Sequence, residues 1–274
     1  MDYLTVITRT KNEPFMEEFV KHYFNEGADK IYILDDNSTI PFSNYIITHP
    51  NVIIQQIFKF KQGDMMEVKE LYTKIRFNST WFILVDADEY ITTKKHLNKT
   101  IRDELQSTFK DVDCIKVPWV MMAWNGRKEE PDNLLLENIH RMNHDLKHPH
   151  PTGWEKGRCR YESVECKPIF KGSKYHSFVN THMPLSNTNT IIVNSINKNI
   201  SNSGPFFDNL REYKINSGFL VCYHYRFTSN ECCKKKIDTF VYSGYKTGIK
   251  NLLLTDYPES IDETMKNKVL SRIL

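Results

Sequence analysis

The run Trp81-Phe82-Ile83-Leu84-Val85, followed directly by Asp86-Ala87-Asp88-Glu89, constrains this chain more than any other segment. Five apolar residues in succession, bounded by a polar break, predict a strand buried on both faces, as in a parallel sheet covered by helices. Three carboxylates in the next four positions repel one another and lose hydration where that strand ends. A divalent cation held between them relieves the cost, and hard cations with oxygen ligands commonly carry a phosphate as well. The segment points to a metal-dependent enzyme acting on a nucleotide-linked substrate.

The neighbouring sequence supplies the rest of such a sheet. Residues 3–8 are rich in β-formers, and Phe15, Phe19, Val20, Tyr23 and Phe24 fall at helical spacing over 13–26. Asn12 or Glu13 suits the cap of that helix, Pro14 its first turn and Gly27 its end. Further strands are predicted over 30–34, 52–58 and 113–120, with helices over 64–77 and 98–109. This alternation implies right-handed crossovers and an α/β fold with a mostly parallel sheet flanked by helices. Ligands of such sheets sit at the carboxyl ends of the strands. Thr8-Arg9-Thr10-Lys11-Asn12, Asp35-Asp36-Asn37-Ser38 and Asp86-Ala87-Asp88-Glu89 all follow strands and converge on that one rim.

Beyond residue 120 the pattern loosens. Residues 121–161 read as loop-rich, with Trp124, Asn125-Gly126, several prolines and the histidines His140, His144, His148 and His150, whose irregular spacing fits a surface loop better than a metal site. Residues 187–203 form a polar stretch expected to be exposed, and a strand over 218–225 precedes a helix over 230–245 that carries Lys234-Lys235-Lys236. A chain of 274 residues with 40% hydrophobic content suffices for one domain over 1–274, and a net charge of +3 is too mild to argue for nucleic acid. Its six cysteines match neither a disulfide framework nor a zinc finger, so reduced thiols and a cytoplasmic setting are expected. No window reaches the ~18 apolar residues of a membrane span. Nothing in the sequence fixes an oligomeric state.

Thr10-Lys11-Asn12-Glu13, Ile31-Tyr32-Ile33-Leu34-Asp35-Asp36-Asn37-Ser38 and the 81–90 segment together resemble glycosyltransferases of the Rossmann-like GT-A fold, specifically family 92 and its neighbours in family 2. The likeness continues through Val117-Pro118-Trp119, Trp124-Asn125-Gly126 and Leu134-Leu135-Leu136-Glu137-Asn138. Lys167-Pro168-Ile169-Phe170 with Val179-Asn180-Thr181-His182 is similar to that group's lysine and histidine stretch, and Tyr223-His224-Tyr225-Arg226 to its terminal histidine-tyrosine motif. Each piece alone is common; six in order over residues 4–240 are specific.

The resemblance implies transfer of a hexose from a nucleotide sugar, in particular a UDP-sugar, to a hydroxyl of a glycan or glycoconjugate, with inversion and with Mn²⁺ or Mg²⁺. It divides the chain into a donor half (1–120) and an acceptor half (121–274). Asp88 becomes the direct metal ligand and a catalytic residue, Asp86 a bridge between ribose and metal, and His224 a third ligand. Asp36 would hold uracil or ribose, with Asp35 behind it, and Thr8, Arg9, Lys11 and Ala87 would line the donor pocket; Asp35-Asp36-Asn37-Ser38 is equally a good turn. Trp119, Trp124, Trp154 and Glu89 would meet the acceptor, and Glu137 would be the general base, with Asp132 and Glu165 as alternatives. Lys234–Lys236 would draw in diphosphate or form a solvated helix face. Two other functions fit less well. A sugar-1-phosphate nucleotidyltransferase should carry a glycine-rich loop after the first strand, where Arg9–Glu13 has none. A non-catalytic carbohydrate-binding relative should have lost its carboxylates, and these are intact.

Overall fold

The computed structural model describes residues 1–44, 49–57, 65–146, 159–160, 163–201, 204–207, 209–239 and 256–272. The strands are β1 (Asp2–Thr10), β2 (Lys30–Asp35), β3 (Val52–Gln56), β4 (Ser79–Leu84), β5 (Glu89–Thr93), β6 (Cys114–Met121), β7 (His140–Arg141), β8 (Cys159–Arg160), β9 (Ser163–Lys171), β10 (Ser177–Phe178), β11 (Pro184–Leu185), β12 (Ile192–Asn194), β13 (Phe206–Phe207), β14 (Leu220–His224) and β15 (Ser260–Ile261). Helices α1 (Met16–Asn25), α2 (Met66–Ile75), α3 (Ile101–Gln106), α4 (Leu134–Glu137), α5 (Glu212–Asn216) and α6 (Asn230–Thr239) lie between them, with a further helix at Thr264–Leu270.

The main sheet runs β3-β2-β1-β4-β9-β6-β14-β5. Its first four strands are parallel, in register from Thr10 opposite Asp35 to Ile7 opposite Leu84, so their carboxyl ends share one rim. Beyond β4 the sheet is mixed: β9 runs antiparallel to both β4 and β6, and β14 pairs parallel with β6 but antiparallel with β5. The expected α/β architecture with flanking helices is present, and its parallel character is concentrated in the amino-terminal block.

The apolar pattern explains this block. β4 is buried along almost its whole length, as a strand covered on both faces must be. Helix α1 turns Met16, Phe19, Val20 and Tyr23 inward, where Phe19 and Tyr23 pack edge-on at 4.7 Å and Phe19 meets Tyr90 at 5.9 Å. Gly27, at φ 92°, ends the helix in the left-handed region that glycine tolerates best. The expected caps at Asn12 or Glu13 do not form: the N-cap is Phe15, with no side-chain hydrogen bond, and Asn12 has left-handed backbone (φ 53°).

Three elements depart from the sequence expectation. A strand that the sequence did not announce follows the acids after β4: Glu89 begins β5, all five residues of which are buried, so the turn is only as long as Val85–Asp88. Residues 163–171 form the long strand β9 at the centre of the sheet; Pro168, which lacks the amide a ladder needs, hid it, and it lies opposite Lys116 of β6. Within the stretch expected to be exposed, Ile192–Asn194 joins β6 as β12 and buries Val193. In the loop-rich region His144 is buried against Glu212 and is no surface residue, while Trp154, His148 and His150 lie outside the described residues. Cys114, Cys166, Cys222, Cys232 and Cys233 are buried free thiols.

Candidate donor-binding and transfer site

The carboxyl ends of β1, β2 and β4 frame a cavity of about 250 Å³ with Arg9, Lys11, Asp36, Asp86 and Thr181 on its polar side and Ile7, Val68 and Leu84 on its apolar side. Local backbone chemistry shapes the rim. Asn12 and Asn37 take the left-handed conformation (φ 53° and 54°) that asparagine tolerates better than most residues. The two post-strand loops are tied together, because the amide of Asn12 donates to Ser38 Oγ (2.9 Å) and the amide of Thr39 to Asn12 Oδ1 (2.7 Å).

Adjacent aspartates on this rim divide the two roles the sequence allowed. Asp35 is the turn residue: its carboxylate accepts from the amides of Ser38 (3.0 Å) and Phe42 (3.1 Å) and from Gln56 Nε2 (2.5 Å). Asp36 faces the cavity. Its Oδ2 is held by Arg9 Nη2 at 2.9 Å and Nε at 3.2 Å, whereas its buried Oδ1 has no hydrogen-bond partner. A buried acceptor left open costs about 1–3 kcal/mol, which a ligand donor would recover. Arg9 and Lys11 lie where expected, but Thr8 is buried with its hydroxyl unpartnered, and Thr10 lines the cavity in its place. Ala87 is buried and also off the lining.

The acidic turn is organised by two lysines that sequence reading undervalued. Lys167 of β9, completely buried, contacts Asp86 Oδ2 at 3.0 Å and Glu89 Oε2 at 2.9 Å, and donates to Thr181 Oγ1 at 2.7 Å. Burial opposes its charge, but the two carboxylates prevail and hold its pKa above the ordinary lysine value. Lys236 of α6 donates to Asp88 Oδ2 at 3.0 Å and to the Arg226 carbonyl at 2.5 Å. The Lys234–Lys236 run therefore splits between the two readings: Lys236 turns to the site, while Lys235 pairs with Glu231 on the exposed face. Lys167 carried a readable signal, since it opens one of the motif segments; Thr181 had none of its own.

Asp88 faces His224 on its other oxygen. The antiparallel pairing of β14 with β5 puts His224 opposite Glu89, the Tyr225 amide donates to the Asp88 carbonyl at 2.8 Å, and Nε2 of His224 ends 3.4 Å from Asp88 Oδ1. Burial pushes Asp88 upward, but Lys236 and His224 outweigh it and hold the carboxyl well below its ordinary range. Burial also lowers His224, with Asp88 offsetting only part, so its neutral form is favoured. Beside them Glu13, half-buried, is pushed up to about 7 by burial; Lys236 opposes this and Asp88 adds to it. Sequence reading had given Glu13 only a capping role.

The expected three-ligand metal site is not assembled. Among the described residues no three His, Cys, Asp or Glu side chains come together to hold an ion, and Asp86 is engaged by Lys167 instead. Asp88 Oδ1 and His224 Nε2 do fit, because ligands about 2.1 Å from one ion and at right angles lie roughly 3 Å apart. An ion held by this pair would complete its shell with water and substrate phosphate, as Mg²⁺ sites do.

Four acceptor-side expectations are corrected. Glu89 is fully buried against Lys167 and the Asp86 amide, so it cannot meet a substrate. Glu137 is not a free base: one oxygen accepts from the Asn133 amide at 2.8 Å and the other pairs with Arg127 at 2.9 Å. Trp124 is buried, its Nε1 donating to Asn230 Oδ1 at 3.2 Å and its ring packed edge-on to Phe227, so it offers no open face to a sugar. Trp119 is buried too, standing between the imidazoles of His224 (4.4 Å) and His182 (5.1 Å), with its Nε1 unpartnered.

No protein-family model and no curated protein matches the sequence, so the resemblance to glycosyltransferase family 92 remains one of motifs. Among solved structures, TarS 1-349 of S. aureus is similar at 16% identity and a TM-score of 0.34, over 62% of this chain and 47% of that one. The present chain thus spans about half the length of TarS 1-349. HddC from Yersinia pseudotuberculosis matches at 9% identity and a TM-score of 0.35, over 78% of this chain and 97% of that one. UTP-bound UGPase from Acinetobacter baumannii matches at 7% identity and a TM-score of 0.34, over 92% and 99% respectively.

Proposed function

We propose that this chain is a glycosyltransferase that binds a nucleotide sugar, in particular a UDP-hexose, in the cavity at the carboxyl ends of β1, β2 and β4, and passes the hexose to a glycan hydroxyl with inversion. The observation that carries the reading is Asp36: a buried carboxylate fixed by Arg9 on one oxygen and open on the other, at the wall of a cavity that also holds Arg9, Lys11 and Asp86. An open acceptor there suits the N–H of a pyrimidine ring or a ribose hydroxyl, and the two cations suit the phosphates that follow.

In this reading Asp86, exposed over half its side chain and steadied by Lys167, receives the ribose. Lys236, close to Asp88, faces the end of the site where negative charge develops as the diphosphate leaves. Asp88 and His224 are the residues that would hold Mn²⁺ or Mg²⁺, which when bound would neutralise the same charge. Division into a donor half and an acceptor half is kept with one change: Thr181, from the second half, lines the donor cavity, and Lys167 behind it holds Asp86 and Thr181.

A thermal-shift panel of UDP-, GDP- and dTDP-hexoses, each with and without Mn²⁺, tests the reading. Uridine nucleotides should raise the melting temperature and the ion should enlarge the rise, since a ligand at 100 times its Kd stabilises by about 2.7 kcal/mol. No shift with any nucleotide sugar would contradict it.

A further inference from the structure

Among the described residues, Thr181 is the one contribution of the second half of the chain to the cavity lining. Its place is fixed by a short hairpin. Strands β10 and β11 pair antiparallel, and the turn between them is closed by the Val179 amide donating to the Met183 carbonyl (2.8 Å) and the His182 amide to Asn180 Oδ1 (2.9 Å). His182, the next residue, anchors this turn to the sheet. Its Nδ1 lies 2.8 Å from the Cys166 carbonyl, its Nε2 3.4 Å from Glu165 Oε1, and its own carbonyl accepts from Lys116 Nζ at 3.1 Å. With both ring nitrogens committed, His182 is scaffold, and it holds Thr181 at the cavity.

Lys167 settles what the Thr181 hydroxyl can do. An ammonium has three hydrogens, and three oxygens surround this one: Glu89 Oε2 at 2.9 Å, Asp86 Oδ2 at 3.0 Å and Thr181 Oγ1 at 2.7 Å. The lysine is fully buried, so it acts on a ligand only through these partners. Toward Lys167 the Thr181 oxygen is an acceptor, and its own hydrogen has no acceptor among the described residues. That hydrogen is left to donate. Asp86 offers the opposite, since a carboxylate only accepts, one of its oxygens alone meets Lys167, and its side chain is 54% exposed. One buried cation thus sets an acceptor and a donor side by side on the cavity lining.

A vicinal diol matches that arrangement, because each of its hydroxyls can both donate and accept. A phosphate does not, for it only accepts and its charge is repelled by Asp86. Resting on the donor reading above, which gives Asp86 the ribose, we propose that Thr181 is the second arm of that contact. One ribose hydroxyl donates to Asp86, its vicinal neighbour accepts from Thr181, and the cavity selects ribonucleotides over deoxyribonucleotides. Lys167 is the positioning residue that fixes both arms. A ligand lacking either hydroxyl leaves one arm unmet, which is how a site built to hydrogen-bond a hydroxyl rejects the analogue without it.

Calorimetric titration of the full chain with UDP, 2′-deoxy-UDP and 3′-deoxy-UDP tests the proposal. Wild type should bind UDP about tenfold or more tightly than either deoxy analogue. T181V should weaken UDP by about fivefold or more yet leave one analogue within about twofold, because the contact is already missing there. T181S, which keeps the hydroxyl, should preserve the wild-type pattern. A wild type that binds all three ligands within about twofold would overturn the assignment, and this arm needs no variant to fold. So would a T181V protein that holds UDP like wild type, or one that loses UDP and both analogues by the same factor, which would mark Thr181 as a structural neighbour of Lys167. Failure of the wild-type chain to bind UDP would instead overturn the donor reading beneath it.

Discussion

Two buried carboxylates, Glu26 and Asp36, show how this molecule separates scaffold from site. Glu26, at the end of α1, is satisfied on both oxygens: Oε1 meets Lys268 (2.7 Å), Arg272 (2.9 Å) and Thr92 (2.9 Å), and Oε2 accepts from the Ile101 amide (3.0 Å). Asp36, which lines a cavity, is held on one oxygen only, and the other is buried without a hydrogen-bond partner. The first arrangement pins the Thr264–Leu270 helix to α1, α3 and β5 and leaves nothing for a ligand. The second stores an unmet hydrogen bond where a ligand would supply its partner. Burial and charge alone do not distinguish the two; the count of satisfied oxygens does.

The sharpest way to break this comparison is Glu26→Ala. It strands the Lys268 ammonium, itself only 4% exposed, and removing one partner of a buried pair costs about 3–5 kcal/mol. Chemical denaturation should show that loss while UDP affinity of the folded fraction is retained. A variant that kept its stability would deny Glu26 its scaffold role.

A somewhat smaller effect concerns His22, beside the same network. Burial depresses its pKa from 6.5 to about 4, despite Glu26, and Nε2 meets the Ile91 carbonyl at 2.8 Å. The unfolded chain therefore takes up the proton first as pH falls. The contribution is fully present above about pH 6.5 and is lost as pH falls toward 4, by up to about 3 kcal/mol. H22Q should flatten the stability profile over that window, and an unchanged slope would locate the acid sensitivity elsewhere.

Much of the cavity lining was legible in the sequence because it is local. Lys11, Asp36 and Asp86 each follow a strand whose apolar run is plain, Arg9 is the penultimate residue of β1, and parallel pairing gathers the strand ends on one rim. What escaped was long-range. Lys167 reaches Asp86 across 81 positions of sequence, and Lys236 reaches Asp88 across 148, through pairings that no local period announces. The acceptor side misled for a further reason: Trp124 and Glu89 are residue types that suit a sugar site equally well when packed in the interior, and only their burial decides. Glu137 was chosen for its place after a strand, and its neighbours Arg127 and Asn133 already take both oxygens.

The central claim is that Asp36's open oxygen receives the nucleotide. Calorimetric titration of UDP into wild type and Asp36→Ala, both checked for an unchanged melting temperature, tests it most directly. Losing that hydrogen bond should weaken UDP binding by roughly 10- to 100-fold, the equivalent of about 1.5–3 kcal/mol. Equal affinities for the two proteins would contradict the account.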